Sequence, residues 1–331
     1  MTTTRYIRVD ARKPEAEFIE VGAELIRAGE LVAFPTETVY GLGADAFQPG
    51  AVEKIFRAKG RPPENALLVH VSSMDQVQRL VAEIPVSARK LMEHFWPGPL
   101  SIILPSRSCV PEIVRGGSIG VGLRMPSHPV ALALIERTGP LAAPSANLYG
   151  RPSPTNAKHV RQDMDGKIAA VLDGGDTGAG LESTLIDLSA GTPRILRRGG
   201  TSVELIEEFL ELKIEIEGTE SLPRYQTKVK VVLSDNQANF GAKLEDLCSQ
   251  GVVFGVVHIN NTSIHRIENV NWIYKLNLSG LGMSLYSILR DAEENGLETL
   301  LFTPVDPDQA RAAPAMMDRL RRAASDPKEE Q

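Results

Sequence analysis

The sequence predicts an α/β protein of two domains, and three observations lead there. The chain has 331 residues, enough for two domains of ordinary size. Up to residue 212, short apolar runs alternate with segments of helical period. Past a polar stretch with no sustained period, a second and shorter alternation begins, as in a small layered α/β unit.

The elements follow in order. Phe18, Ile19, Leu25 and Ile26 fall on one face of a helix that Gly29 can stop. Leu31-Val-Ala-Phe34 is a short buried strand closed by Pro35. A helix over 49–58 carries Val52, Ile55 and Phe56 on one side, and Ala66-Leu-Leu-Val-His-Val71 is the next strand. Helices near 74–82 and 87–95 precede the rigid break Trp96-Pro-Gly-Pro99, which leads into the strand Leu100-Ser-Ile-Ile-Leu104. Strands are expected at 119–124, 141–144, 168–172, 183–188 and 193–197, with a closing helix at 202–212. This places a first domain at 1–212 and a linker at 213–228. A Rossmann-like domain follows at 229–325: strand 229–233, helix 241–249, strands 252–257 and 272–276, helix 282–295, strand 298–302 and helix 310–324. The tail 326–331 is expected to fray.

Composition narrows the function. Hydrophobic residues at 42% and charged residues at 24% exclude a disordered or fibrous chain, and the net charge of −6 argues against a bulk nucleic-acid surface. Two distant cysteines, Cys109 and Cys248, make no disulfide framework and suit a reducing cytoplasm. No run reaches the ~18–20 apolar residues of a membrane span. The six histidines, at 70, 94, 128, 159, 258 and 265, are scattered, so no metal site is expected.

Two glycine patterns do not survive their context. Gly41-Leu-Gly43-Ala-Asp-Ala46 imitates a dinucleotide fingerprint, but Pro35-Thr-Glu-Thr-Val-Tyr40 separates it from the strand and no helix opens on it. Gly116-Gly-Ser118-Ile-Gly120 imitates a nucleophile elbow but runs into a strand, not a helix.

More telling are polar residues at the ends of apolar runs. Arg57, Lys59 and Arg61 crowd cations where a helix breaks, a point charge beside planar forks that suit different phosphate oxygens, with Asn65 just beyond. Ser145 and Asn147 follow a buried strand at alternate positions. Asp173-Gly-Gly-Asp-Thr-Gly178 and Glu182-Ser183-Thr184 put flexible backbone beside hydroxyls, and Arg194, Arg197 and Arg198 gather at a strand end. Together these describe a polyanion site at strand ends. His70, taken alone, reads first as a core histidine.

These residues resemble a known family, the threonylcarbamoyl-adenylate synthases with a YrdC-like domain, in their longer two-domain form. The resemblance rests on Phe34-Pro-Thr-Glu-Thr-Val-Tyr-Gly-Leu42, Lys59-Gly-Arg61-Pro, Leu67-Leu-Val-His70, Trp96-Pro-Gly-Pro-Leu100, Leu123-Arg124-Met-Pro126, Ala143-Pro-Ser-Ala-Asn147, Arg151-Pro-Ser-Pro-Thr155, Asp173-Gly-Gly175, Glu182-Ser-Thr184 and Leu196-Arg197, in order across about residues 15–210. It implies a twisted mixed open sheet with a concave cationic cavity. It also implies an ATP-dependent enzyme that joins L-threonine and bicarbonate to AMP, releases pyrophosphate, and feeds threonylcarbamoyl-transferase proteins that modify tRNA. By motif, Lys59 and Arg61 would be the catalytic cations. Thr36, Thr38, His70, Arg124 and Ser183 would hold threonine. Lys59, Arg61, Asn65, Ser145, Asn147, Ser153 and Arg197 would hold ATP, with Mg²⁺ carried mainly by phosphates. A weak tRNA contact is a further expectation. Two other classes fit the residues: an RNA-binding module, and an ATP- and threonine-binding regulator without turnover. The chain departs from the resemblance at Asn65-Ala66-Leu67, where the family has Asn-Pro-Leu. It departs again at Leu222-Pro-Arg-Tyr225-Gln-Thr-Lys228, where the family's His-Tyr-Ala-Pro segment keeps only its tyrosine.

Overall fold

A computed structural model of the chain describes residues 3–217, 224–259, 270, 272–278 and 284–324. Two compact units divide it: Met1–Tyr149 with Ser153–Thr219, and Gly150–Pro152 with Glu220–Gln331.

The first unit begins with strand β1 (Arg5–Arg8), helix α1 (Ala16–Arg27), and strands β2 (Val32–Phe34) and β3 (Gly41–Asp45). Helix α2 (Pro49–Lys59), β4 (Leu68–His70), α3 (Met74–Leu80), α4 (Val86–Phe95), β5 (Leu100–Pro105) and the short α5 (Glu112–Arg115) follow. Then come β6 (Gly120–Arg124), α6 (Pro129–Thr138), β7 (Leu141–Ala142), α7 (Ala157–Met164) and β8 (Ala170–Asp173). The unit closes with β9 (Thr184–Asp187), β10 (Arg194–Arg197), α8 (Val203–Leu210) and β11 (Glu215–Ile216). The strands join in the order β1-β8-β2-β3-β7-β4-β6-β5-β9-β10-β11, with both parallel and antiparallel neighbours.

Alternation along the strands builds two cores. Val32, Phe34, Ala170 and Leu172 pack with Ile19, Ala23 and Ile26 of α1 and Leu134 and Ile135 of α6. Ala33 and Val171, one residue out of step, pack with Val52 and Ile55 of α2, Leu91 of α4 and Val160 of α7. The sheet is therefore covered on both faces, which concentrates polar function at its edges and strand ends.

Several elements depart from the sequence expectation. Gly41–Asp45 is a strand, antiparallel to β2, because Phe34 lies where Cβ atoms at Gly41 and Gly43 would stand, 3.2 and 2.8 Å away. The linker expected from residue 213 does not begin there. Ile214-Glu-Ile216 alternates, and Glu215 and Ile216 pair in parallel with Arg194 and Ile195 of β10. Helices α6 and α7 lie in stretches left without an element.

The second unit carries β12 (Lys230–Leu233), α9 (Gln237–Gln250), β13 (Phe254–Ile259), β14 (Trp272–Leu276), α10 (Leu285–Glu294), β15 (Thr299–Phe302), α11 (Pro307–Ala312) and α12 (Pro314–Ala323). Its four strands are all parallel in the order β12-β15-β13-β14. The single helix expected over 310–324 is two helices, broken where Ala313 takes φ −129° and ψ 53° before Pro314, which has no N–H to donate. Arg290 is fully buried and donates to the Pro152 carbonyl, while Arg151 pairs with Glu293 at 2.7 Å, so Gly150–Pro152 is tied into this unit. The described part of the expected linker is tied there too: Tyr225 Oη lies 2.7 Å from Tyr286 Oη and its ring lies under Arg322. Residues 218–223, including Leu222 and Pro223, residues 282 and 283 of the helix expected over 282–295, and the tail 326–331 lie outside the described residues.

In the first unit, Gly199 makes the closest approach. A Cβ there would stand 2.2 Å from the Ser183 carbonyl carbon and 2.4 Å from the Glu182 oxygen. Gly199→Ala is expected to lower the free energy of unfolding by about 1–3 kcal/mol. Urea denaturation checks this through a lower midpoint with unchanged slope.

Candidate functional site

Four strands set out a polar row at their ends. His70 of β4 lies level with Arg124 of β6. The antiparallel ladder of β6 with β5, in which Leu123 faces Ile102, brings Arg124 opposite Ser101. Ser101 Oγ lies 2.8 Å from Ser183 Oγ, at the start of β9. All four side chains are buried, polar groups set among Val69, Leu123 and Ile102 of an apolar core.

Each member of the row has a distinct state. Arg124 is 4% exposed; its Nη2 is 2.7 Å from Glu37 Oε1 and its Nε donates to the Gly98 carbonyl. His70 meets the edge of Phe34, and its Nδ1 has no hydrogen-bond partner among the described residues. Burial first, and then the Arg124 charge, push its imidazole down to about 3, so the ring is neutral. Ser183 accepts from Arg197 Nη2 at 3.1 Å, and Arg197 Nε donates to the Ser183 carbonyl.

The segment 35–40 meets this row at the Glu37–Arg124 pair, and its backbone is clamped. Ala179 and Gly180 N–H groups donate to the Glu37 and Thr38 carbonyls, Tyr40 N–H donates to Pro154, and Tyr40 Oη donates to Gly175. Thr36 and Thr38 share a side, as their spacing implies, with hydroxyl oxygens 2.8 Å apart. Thr36 gives its proton to the Val39 carbonyl and accepts from two backbone N–H groups. The proton between the two hydroxyls therefore comes from Thr38, whose oxygen keeps lone pairs for a donor such as an ammonium.

A second group centres on the end of α2. Gly60, at φ 64°, stops the helix. Lys59 is buried there, and its Nζ donates to the carbonyls of Ser145 and Asn147. Burial and the neighbouring Arg61 push its amine down to about 7. Arg61 donates to the Asn65 and Ala66 carbonyls and lies over the Tyr149 ring, whose hydroxyl meets Asn65 Nδ2. Ser145 is joined to Gly41 by a bridge and Ala146 N–H donates to Tyr40, which lays this group against the segment that carries Thr38. Ser153 donates to Glu182 Oε1 at 2.8 Å.

Sequence reasoning missed Glu37, Ser101 and Tyr149. Glu37 stands inside the quoted Pro-Thr-Glu-Thr match but gives no sign that it compensates Arg124. Ser101 is the one polar residue in an apolar run, a signal the strand reading passed over. The expected nucleotide residues Ser145 and Asn147 enter through their carbonyls on Lys59, while the Asn147 amide donates to Leu148.

These features define an α/β protein that gathers cations and hydroxyls at the strand ends of a mixed sheet, an arrangement for an anionic small molecule. Residues 24–199 match the Sua5/YciO/YrdC family model, described as "Telomere recombination". Residues 220–325 match one described as "Threonylcarbamoyl-AMP synthase, C-terminal domain". The chain belongs to this family. It is 39% identical over 324 residues to the threonylcarbamoyl-AMP synthase of Pyrococcus abyssi, covering 92% of this chain and 94% of that one. It is 52% identical over 197 residues to that of Bacillus subtilis, covering 58% and 56%. The crystal structure of P. abyssi Sua5 complexed with L-threonine superposes with a TM-score of 0.84 at 37% identity, covering 97% of this chain and 98% of that one.

The His70 ring is expected to show no titration between pH 5 and 8 in an NMR pH series, whereas an unperturbed ring would titrate near 6.5. In the unfolded chain that ring takes a proton near 6.5. As pH falls below that value the folded state therefore loses stability, by up to about 1.4 kcal/mol per pH unit from this group.

Proposed function

We propose that this protein makes L-threonylcarbamoyl-AMP from L-threonine, bicarbonate and ATP, with release of pyrophosphate, as the first step of threonylcarbamoyladenosine modification of tRNA. One observation carries the reading in this chain. A buried arginine, a neutral histidine beside it and hydroxyls that suit an amino acid are joined, through the 35–41 segment, to a cation pair that suits a phosphate chain.

In this reading, Arg124 takes the threonine carboxylate through a charge-assisted contact, in competition with Glu37. Thr38, whose oxygen has lone pairs to offer, accepts from the ammonium or its carbamate N–H. Thr36 acts through Thr38, as a positioning residue. Ser183 lines the same pocket, fixed by Ser101 and Arg197. Neutral His70 adds polarity without a second charge beside Arg124.

Carbamate formation joins the threonine nitrogen to the carbon of bicarbonate, with loss of water. A carbamate oxygen then forms a bond to the α-phosphorus of ATP as the bond to the bridging oxygen breaks and pyrophosphate leaves with that electron pair. Anion approaches anion, so charge screening and alignment supply most of the rate. Lys59 suits this work. Two of its N–H groups are held by the Ser145 and Asn147 carbonyls, and the third position of the nitrogen is left for a phosphate oxygen. An amine near 7 becomes fully charged when a polyphosphate arrives. Arg61 and Asn65 extend the phosphate wall, while Ser153 and Arg197 serve the nucleotide. The carboxylates nearby fit a magnesium ion that arrives on the phosphates rather than one held by side chains: Glu37 is paired with Arg124 and Glu182 accepts from Ser153. When bound, that ion would neutralise phosphate charge.

The product is a reactive mixed anhydride, which partner transferases would take to tRNA. Among the described residues no helix is long and apolar enough to cross a membrane.

Thr38→Val removes one hydroxyl with little change of shape and is expected to raise KM for threonine about tenfold to a hundredfold, leaving KM for ATP within about twofold. Arg61→Gln is expected to do the reverse. Steady-state kinetics with each substrate varied would contradict the assignment if the two variants exchanged these effects.

A further inference from the structure

The second unit holds a polar row that the synthase reading does not use. Its four strands run parallel, so their carboxyl ends lie along one edge, where open α/β sheets take ligands. Leu233 of β12 and Val257 of β13 both stand level with Phe302 of β15. One residue further along, Ser234, Thr303 and His258 therefore form a row on three neighbouring strands, about 4.8 Å apart. Lys275 of β14 stands level with His258 and ends the row.

The row faces α9. Two residues earlier on the same strands, Val232, Leu301 and Val256 pack in one apolar cluster with Phe240, Leu244 and Leu247 of that helix. The two-residue period of a strand puts Ser234, Thr303 and His258 on that same side. Helix α9 opens three residues past Ser234, so its N-terminus lies at this edge, with Asn236 capping it through a bond from Asn239 N–H.

The three side chains are closed off from solvent: Ser234 is 7% exposed, His258 5% and Thr303 4%. Among the described residues, neither ring nitrogen of His258 has a hydrogen-bond partner, and nor does the Ser234 hydroxyl. Thr303 Oγ1 accepts from Ile259 N–H, which leaves its own proton to give. Buried polar atoms without partners are rare in folded proteins and ask for an explanation. Burial, and then the Lys275 charge, hold the His258 imidazole below its ordinary value. Both effects favour the neutral ring, which carries one donor and one acceptor.

We propose that Ser234, Thr303, His258 and Lys275 form a binding site for a small phosphate ligand, under the N-terminus of α9. The two hydroxyls and one ring N–H donate to phosphoryl oxygens. The other ring nitrogen accepts from a P–OH, and Lys275 and the helix end supply positive potential. A carboxylate offers fewer oxygens to this row and no hydroxyl to the ring.

The test is an NMR titration of the full chain, labelled at histidine nitrogens, with inorganic phosphate at ionic strength held constant with chloride. His258→Gln assigns the ring signals. Both ring nitrogens of His258 are expected to shift saturably, with a Kd in the millimolar range or tighter. Lys275→Gln, at an exposed position that leaves folding intact, and Ser234→Ala are each expected to weaken binding at least about fivefold. A parallel titration with glycerol phosphate separates free phosphate from an ester as the preferred source, by whichever binds more tightly. Ring signals that do not move, that respond equally to acetate, or that saturate identically in both variants would overturn the proposal.

Discussion

The first unit is organised around the burial of one charge. Arg124 sits at 4% exposure at the end of β6. A guanidinium there without a counter-charge would cost several kcal/mol. Glu37 provides the compensation, and Glu37 lies on neither β2 nor β3 but on the segment between them. That segment must therefore fold over the strand ends, and the glycine-rich stretch at 174–180 holds it there through Ala179 and Gly180. The same pair anchors the segment that carries Thr36 and Thr38, one on each side of Glu37, to the strand end that carries Arg124. The internal carboxylate of Glu37 thus holds a buried cation in place at the strand ends.

The strands that face two apolar layers were legible because they read as short, mainly apolar runs: Val32–Phe34, Leu68–His70 and Leu100–Pro105 fall where the sequence puts them. Gly41–Asp45 was not legible. A strand with glycine at every second position shows no side-chain period, and its reason for being a strand is the Phe34 ring across the ladder. Helix α7 was hidden because its polar composition masks an apolar stripe of Ala157, Val160 and Met164. The break before Pro314 was visible in the sequence but outweighed by the apparent period around it.

For the site, sequence gave the residue types and the resemblance gave their grouping; neither gave the partners. Register places His70, Arg124 and Ser101 in line, and register is a property of pairing between segments far apart in the chain. Lys59 shows the same limit. Its position at a helix end was plain, yet its burial against the Ser145 and Asn147 carbonyls, which sets its proton affinity, depends on residues about ninety positions away. The polar row of the second unit is likewise invisible in sequence, since Ser234, His258 and Thr303 are unremarkable until three ladders align them.

If the two groups of side chains act on one reaction, the coupling of an amino-acid carbamate to the α-phosphate of ATP, then neither co-substrate is dispensable for turnover. Pyrophosphate release from ATP, measured with threonine and bicarbonate each left out in turn, decides this. Release is expected only when both are present. Release at an undiminished rate without threonine, or none with both substrates supplied, would contradict it.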